Sequence, residues 1–332
     1  MTHRLAIGLA MILAAVTFVG CGGGGEGDDA SQRTVTIGLV AKSQSNAVFQ
    51  AAYAGAKDAA AELGDKYGVR VRIDWQTPAD EDATMQAKNV EQLARAGADG
   101  IAVSCSNADT LTPAIDKAVE LGSVVMTFDS DAPASKRFCF FGTNDLDCGQ
   151  AVMTELAAVM GESGNIAILA GNQAAPNLRN RVEGVKRKLA EYPDMALIED
   201  GVVYHAETAA QAAEALNAAQ TTRPEIEGWA LVGGWPLFTK NALRWPAGEV
   251  KVVSVDALPD QLDYLDSGHV QVLLAQNCYG WGYESVRILL EKILKNNDPS
   301  NADAKARIFD PLTRITPDNA AAFRESWNTW LK

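Results

Sequence analysis

Two aspartates in separate halves of the chain, Asp129 and Asp256, each follow an apolar, β-branched segment. Asp129 ends the stretch VVMTFD, with Asp131 two residues later, and Asp256 ends VVSVD. Carboxylates accept hydrogen bonds, so a pair of them suits a small ligand that is rich in hydroxyl donors. The alternative for either acid alone is a helix N-cap, since a helical segment follows Asp256. Their equivalent placement in the two halves favours ligand contact.

The segments around these acids alternate between strand and helix patterns, which predicts parallel sheets covered by helices on both faces. Two series of about five strands indicate an α/β protein with two doubly wound lobes. In such sheets ligands bind beyond the carboxyl ends of the strands, so the two acids would face each other across a cleft. The predicted strands span 34–40, 69–75, 100–105, 124–129 and 138–143, then 165–171, 200–205, 228–234, 251–257 and 270–276.

The composition is that of a globular protein with room for two domains. The chain has 332 residues, of which 47% are hydrophobic and 21% charged. Its net charge of −13 comes without a lysine- or arginine-rich run. This balance argues against nucleic acid as a partner and against docking on anionic lipid headgroups.

The N-terminus predicts export. Arg4 precedes an apolar run, Leu5 to Val19, that is too short for a confident membrane span and right for a secretory signal. Gly20 before Cys21 resembles a bacterial lipoprotein box, which predicts a signal peptide over 1–20 and lipidation of Cys21. The alternative is a plain signal peptide with an incidental cysteine. The Gly-rich, acidic segment 21–32 would be a flexible tether. These features predict a periplasmic or cell-surface protein, lipid-anchored to a bacterial membrane.

The remaining four cysteines show no zinc-binding spacing, so no metal site is predicted. An oxidising compartment permits a disulfide, and Cys139 and Cys148 are the nearest pair. Buried free thiols are the favoured state.

Several motifs in order along the chain resemble those of periplasmic sugar-binding proteins of the ribose/galactose type, the substrate-capturing subunits of ABC transporters. The motifs are SNAVFQAAYAGAKDAA after the first strand, then VVMTFDSDAP, FGTNDLDCGQ, LAGNQAAPNLRNRVEGVK, VVSVDALPD and LLAQNCYGWGYESV.

The resemblance implies a type I fold, in which three crossing hinge segments join two lobes. The crossings would lie near 142–145, 276–278 and 309–313. The N-terminal lobe would then hold 33–143 plus 278–310, and the C-terminal lobe 144–277 plus 311–332. A final helix over 317–331 would pack on the C-terminal lobe.

The same resemblance implies ligand contacts wherever a family motif matches. After the first strand, the family has an amide and a stacking ring, which Asn46 and Phe49 match. Asp129 matches the acid at the fourth strand, and Arg179 matches an arginine from the second lobe. Asp256 and Gln276 match two polar groups near the strand ends of the second lobe.

The sequence departs from the ribose-type pattern in three places, which argues against ribose itself. Ser130 stands where an arginine follows the strand-four acid, and the stretch 233–236 replaces an expected asparagine. The ring that the family has early in the second helix of the second lobe is missing, with Thr208 nearby. We infer that Trp235 supplies the opposing stacking ring. Further candidates for ligand contact are Lys42, Gln44 and Asp131.

These observations predict a monomeric, non-enzymatic binding protein without cofactors. It would close over a monosaccharide or similar polyhydroxy molecule and deliver it to an ABC transporter permease. A sensor lipoprotein that signals to a membrane receptor would have the same binding site, so the sequence does not separate this alternative from transport.

A glycoside hydrolase is a weaker alternative, because both acids are expected to stay ionised beside Arg179. The loop after the first strand lacks the G-x-G-x-x-G turn of dinucleotide enzymes.

Overall fold

The computed structural model describes residues 32–303 and 306–331. The predicted signal segment, Cys21 and most of the tether lie outside these residues. Within them, no helix is both long and apolar enough to span a bilayer. One compact unit, Arg33–Lys332, contains both sheets.

Strands and helices alternate along the described chain, as the sequence predicts. The strands are β1 Thr34–Val40, β2 Arg70–Trp75, β3 Gly100–Val103, β4 Val124–Phe128, β5 Cys139–Gly142, β6 Gly164–Gly171, β7 Met195–Tyr204, β8 Gly228–Leu231, β9 Lys251–Val255, β10 Val272–Ala275, β11 Arg307–Phe309 and β12 Thr313–Ile315. The helices are α1 Ala47–Tyr67, α2 Ala83–Arg95, α3 Ala108–Glu120, α4 Asp145–Met160, α5 Pro176–Leu189, α6 Ala209–Thr222, α7 Pro259–Asp266, α8 Cys278–Lys295 and α9 Ala320–Trp330, with a 3-10 helix at Trp235–Phe238.

The strands form two six-stranded sheets, so the two predicted α/β lobes are confirmed. The orders are β11-β5-β4-β3-β1-β2 and β12-β10-β9-β8-β6-β7. The prediction of about five strands in each sheet was one short, because β11 and β12 have three residues each and show no readable pattern. All neighbours pair in parallel except β10 and β12, which are antiparallel. The second sheet is therefore not wholly parallel.

The chain passes between the two sheets three times. It leaves the first sheet after β5, and α4 then packs on β8 and β9. It returns after β10, and α8 packs on α1 and β4. The last passage joins β11 in the first sheet to β12 in the second. The connecting residues are 143–144, 276–277 and 310–312.

One pair of helices in each lobe touches at glycines on both partners. A Cβ added at Gly55 of α1 or Gly282 of α8 would lie 2.1 or 1.7 Å from a carbonyl oxygen of the partner helix. In the second lobe, the corresponding distances at Gly149 of α4 and Gly184 of α5 are 1.9 and 2.2 Å. Only hydrogen fits at these positions, so glycine sets the helix spacing in both lobes.

The C-terminal helix α9 contacts both lobes. Trp327 donates its indole N–H to the carbonyl oxygen of Ala257, 2.6 Å away in the second lobe. The ring of Trp330 stacks on Tyr279 of α8, with 5.7 Å between centroids and 17° between planes. The helix therefore packs on the second lobe and also reaches the first.

The four cysteines of the described chain, Cys105, Cys139, Cys148 and Cys278, are buried free thiols. Burial raises the pKa of Cys139 to about 11. A thiol in such surroundings packs as a small apolar side chain.

Candidate functional site

The two strand-end acids lie in the same unusual backbone conformation. Asp129 has φ 56° and Asp256 has φ 67°, in the left-handed region that few residues other than glycine, asparagine and aspartate adopt. The amide of Asp129 donates to the carbonyl oxygen of Phe141 at 3.1 Å, and that of Asp256 donates to Leu274 at 2.9 Å. Each acid thus turns at the carboxyl end of its sheet and bonds to the neighbouring strand.

Both carboxylates line one cavity between the lobes, and both residues are buried. The cavity volume is about 30 Å³, so the two lobes leave little free space between them at this point. The lining residues are Lys42, Asn46, Val48, Phe49, Asp129, Asn177, Leu178, Arg181, Glu207, Gly233, Trp235, Asp256, Gln276 and Trp281.

The two acids have different hydrogen-bond partners. Ser104 donates its hydroxyl to Asp129 Oδ2 at 2.6 Å. Within the described chain, Oδ1 of Asp129 has no partner, so this oxygen is free to accept from a ligand. Asp256 Oδ1 instead accepts from Gln276 Nε2 at 2.8 Å. Burial raises the pKa of Asp256, and the nearby Arg181 opposes that rise.

A buried guanidinium organises the second lobe's side of the cavity. Arg181 donates to Asp145 Oδ1 at 2.9 Å, to the carbonyl oxygen of Val232 at 3.1 Å and to Gln276 Oε1 at 2.7 Å. An arginine has five N–H donors, so two remain for a ligand. Burial raises the pKa of Asp145 to about 6 although Arg181 lowers it.

The lobes touch across the cavity at Asn177. Its Oδ1 lies 3.4 Å from Lys42 Nζ and 3.4 Å from Ser130 Oγ, and both of those residues belong to the first lobe. Burial lowers the pKa of Lys42, but the surrounding carboxylates, Glu207 foremost, outweigh burial and raise it. Lys42 is therefore a buried cation whose ammonium group has, among residues 32–303 and 306–331, one long hydrogen bond.

Aromatic rings cover two sides of the cavity. Phe49 and Trp281 belong to the first lobe, and their centroids are 6.1 Å apart. Trp235 belongs to the second lobe and lies against Gly171 and Gly233, where a Cβ on Gly233 would be 2.3 Å from the ring. The glycines therefore let the indole pack flush against the strand ends. Such rings suit the apolar faces of a sugar.

Comparison with known proteins places the chain in a family. Residues 37–297 match the family described as periplasmic binding protein domain. The chain belongs to this family.

Relatives and solved structures agree with that assignment. A xylitol-binding protein of Mycolicibacterium smegmatis is 28% identical over 202 residues, which cover 60% of this chain and 57% of that protein. The D-apiose import binding protein of Actinobacillus succinogenes is 24% identical over 287 residues, 84% of each chain. A solute-binding protein of an ABC transporter from Burkholderia graminis, solved with D-arabinose, has a TM-score of 0.76 at 25% identity and covers 86% of this chain and 96% of that one. This chain spans about half the length of the first curated relatives that it matches, 57% and 48%.

In this periplasmic binding protein, Arg179 lies outside the cavity and Arg181 lies inside it. Arg179 is exposed and donates to the carbonyl oxygen of Ala174 at 2.9 Å. Successive helix residues are about 100° apart, so residues two apart lie on nearly opposite faces. The apolar spacing of Leu178 and Val182 marks the buried face, and that signal in the sequence favours Arg181.

Two other predicted residues have partners elsewhere, and a third has two roles. Gln44 donates to the carbonyl oxygen of Thr77 at 2.7 Å and does not line the cavity. Asp131 is paired with Arg137, whose Nη2 lies 2.6 Å from its Oδ2. Asn46 lines the cavity and also caps α1, where Oδ1 accepts from the amide of Val48 at 3.1 Å.

Seven residues that line the cavity were not among the predicted contacts: Val48, Asn177, Leu178, Arg181, Glu207, Gly233 and Trp281. Trp281 lies in the first turns of α8, directly after the crossing at 276–277. Its position therefore depends on where α8 begins. Glu207 lies in the segment before α6, where the sequence carries no periodic pattern. The expected ring near Thr208 is absent, and Thr208 instead caps α6 by accepting from the amide of Gln211.

Proposed function

We propose that this periplasmic binding protein captures a monosaccharide or a similar polyhydroxy molecule between its lobes and delivers it to an ABC transporter permease. One observation carries the proposal: carboxylates from the two lobes, Asp129 and Asp256, line one cavity with the guanidinium of Arg181. The rings of Phe49 and Trp235 line the same cavity.

The chemistry of these groups matches that of a sugar. A sugar hydroxyl both donates and accepts, so it can donate to Asp129 or Asp256 and accept from Arg181. Hydrogen bonds to charged groups contribute about 1.5–3 kcal/mol each. A few of them, with ring contacts on the apolar faces, suffice for micromolar binding at about −8 kcal/mol. No step in this mechanism alters the ligand.

The relatives bind ligands of this kind. The ligands named for them are xylitol, D-apiose and D-arabinose, all small molecules ringed or lined by hydroxyl groups. This similarity supports a ligand of comparable size for the present chain.

We further propose that the crossings at 143–144, 276–277 and 310–312 act as the hinge. The lobes on either side would be 33–143 plus 278–310 and 144–277 plus 311–332. Because ligand contacts come from both lobes, they form together only when the lobes are closed, and binding shifts the population toward closure. The small cavity volume supports this, since a ligand must enter an open form.

We propose that the protein works outside the cytoplasm as a monomer, held at a bacterial membrane by lipid on Cys21 after removal of residues 1–20. Expression of the full chain in a bacterial host tests this directly. The wild-type protein should sediment with membranes, and Cys21→Ser should release it to the soluble extracytoplasmic fraction. A wild-type protein that is already soluble would contradict the anchor.

Calorimetric titration with pentoses, hexoses and polyols tests the ligand class. At least one of them should bind to the wild-type protein, and Asp129→Asn and Trp235→Ala should weaken that binding at least tenfold. Asp194→Asn removes an exposed carboxylate as a matched control and should bind like the wild type. Failure of every sugar and polyol to bind, or release of sugar from a glycoside, would overturn the proposal.

A further inference from the structure

A second, larger cavity, here called the outer cavity, adjoins the cavity that holds Asp129 and Asp256, here called the inner cavity. Its volume is about 600 Å³, twenty times that of the inner cavity, and residues of both lobes line it. Glu207 lines both cavities and therefore stands at their boundary. The outer cavity has room for a further ring beside whatever the inner cavity holds.

Three buried polar atoms around this outer cavity lack hydrogen-bond partners. They are Glu81 Oε1, His205 Nε2 and Glu207 Oε1, and all three residues line the cavity. The described part of the chain contains seven such side-chain atoms, and three of them belong to residues that line this one cavity. A buried polar atom without a partner costs about 1–3 kcal/mol, which a bound group could recover.

All three unpartnered atoms are acceptors. A carboxylate oxygen accepts, and Glu207 is a carboxylate above its raised pKa of about 7. His205 Nδ1 lies 2.6 Å from the carbonyl oxygen of Ala206, so Nδ1 carries the hydrogen and Nε2 presents its lone pair. Burial also lowers the pKa of His205, which keeps the imidazole neutral. The wall therefore matches a ligand group that offers several donors.

An exposed aromatic ring adds a surface for stacking. Tyr204 ends β7, lines the outer cavity and is 43% exposed, although large apolar side chains are mostly buried in this protein. An aromatic ring beside hydrogen-bond acceptors is the arrangement that a sugar ring needs, since its hydroxyls lie around the edge and its C–H groups on the face.

We propose that the outer cavity, lined by Glu81, Tyr204, His205 and Glu207, is a second sugar subsite. It binds a ring joined to the one that the inner cavity holds, so the ligand class is a disaccharide or another glycoside. This inference rests on the proposed function and extends it. The carboxylates of Asp80, Glu81 and Glu207 at this cavity disfavour an acidic second ring.

Calorimetric titration of the full chain tests the second subsite with matched pairs of probes. The pairs are D-xylose with xylobiose, D-glucose with cellobiose, and D-galactose with lactose. For at least one pair, the disaccharide should bind about tenfold more tightly than its monosaccharide. Tyr204→Ala and Glu81→Gln should remove most of that tenfold gain and leave the monosaccharide affinity within twofold. Glu225→Gln, an exposed carboxylate elsewhere, is the control and should change neither affinity.

The outcomes separate this inference from the proposed function. If monosaccharides bind and no disaccharide binds more tightly, the second subsite is wrong and the proposed function stands. Equal weakening of both ligands by Tyr204→Ala and Glu81→Gln would also overturn it. D-Glucosamine offers hydrogen-bond donors through its ammonium group but has no second ring. If D-glucosamine binds more tightly than D-glucose and no disaccharide binds more tightly than its monosaccharide, the proposal of a second sugar ring is wrong. If no sugar binds to the wild-type protein, both proposals fall.

Discussion

In both lobes an aspartate with a left-handed backbone conformation lies at a strand end, but its side chain has different hydrogen-bond partners in the two lobes. Asp129 and Asp256 have the same left-handed turn and the same bond to the neighbouring strand. In the described part of the first lobe, one hydroxyl group, that of Ser104, donates to the side chain of the acid. In the second lobe Gln276 supports it, and Gln276 also accepts from Arg181 and from Thr143 at the first crossing.

This difference assigns separate tasks to the lobes. In the second lobe, Asp145, Arg181, Gln276 and Asp256 are joined by hydrogen bonds into one network, so its geometry is fixed before a ligand arrives. The first lobe offers a carboxylate oxygen without a partner in the described chain, beside the rings of Phe49 and Trp281. We expect the second lobe to set orientation and the first lobe to contribute new hydrogen-bond energy on closure.

The largest effect should come from removing the cation of the second lobe's network. Arg181→Met leaves Asp145 buried without its partner, which costs about 3–5 kcal/mol of unfolding free energy and abolishes ligand binding. Urea unfolding and calorimetric titration measure the two effects. Arg179→Met on the exposed face of the same helix is the control and should change neither. Unchanged stability in Arg181→Met would show that the network is not a unit.

Neutralising each acid in turn compares the lobes directly. Asparagine tolerates the left-handed φ, so Asp129→Asn and Asp256→Asn keep the backbone and remove only the charge. Each should lose about 1.5–3 kcal/mol of binding free energy in calorimetric titration. Asp256→Asn should also lower the melting temperature, because Asp256 Oδ1 accepts from Gln276 Nε2 and so belongs to the network of the second lobe. Equal losses of stability in the two variants would contradict the division of tasks.

Adding a methyl group to each helix contact tests whether the second lobe's helix spacing serves the site. Gly149→Ala and Gly282→Ala should each cost about 1–3 kcal/mol of stability by forcing the helices apart. Only Gly149→Ala should also weaken ligand binding, since the obstructing carbonyl belongs to Arg181. Gly100→Ala, which meets only side-chain methyls at 3.1 Å or more, is the milder control in thermal unfolding. Equal binding losses at Gly149 and Gly282 would argue against a special role for α5.

The smallest expected effect is a change in pH dependence at Glu207. Burial raises its pKa to about 7 from an ordinary 4.5, although Lys42 lowers it. The folded protein then binds this proton more tightly than the unfolded chain, so the contribution of Glu207 favours folding below pH 4.5 and is lost as pH rises toward 7. Glu207→Gln should flatten the fall in melting temperature across that window. Asp145 and Asp256 also have raised pKa values and leave a residual slope. An unchanged slope would contradict the assignment to Glu207.

The sequence predicts most of the fold because its strands are long apolar runs with glycine-terminated helices between them. It does not predict β11 and β12, since strands of three residues form only where an existing edge offers partners. Asp129 and Asp256 could be predicted because each directly follows a strand that the sequence makes recognisable. To choose Arg181 over Arg179, one must know which face of α5 is buried, and the positions of Leu178 and Val182 indicate that face. Glu207 and Trp281 depend on loop and crossing geometry that no local pattern encodes.

The packing of α8 against α1 has a consequence for how the protein is made. Gly55 and Gly282, which touch in the finished lobe, are separated by more than two-thirds of the chain. The edge strand β11 of the same sheet comes later still. A ribosome therefore releases nearly the whole polypeptide before the first lobe can acquire its last helix and strand, whereas α4 and α5 of the second lobe emerge as neighbours and can associate during synthesis.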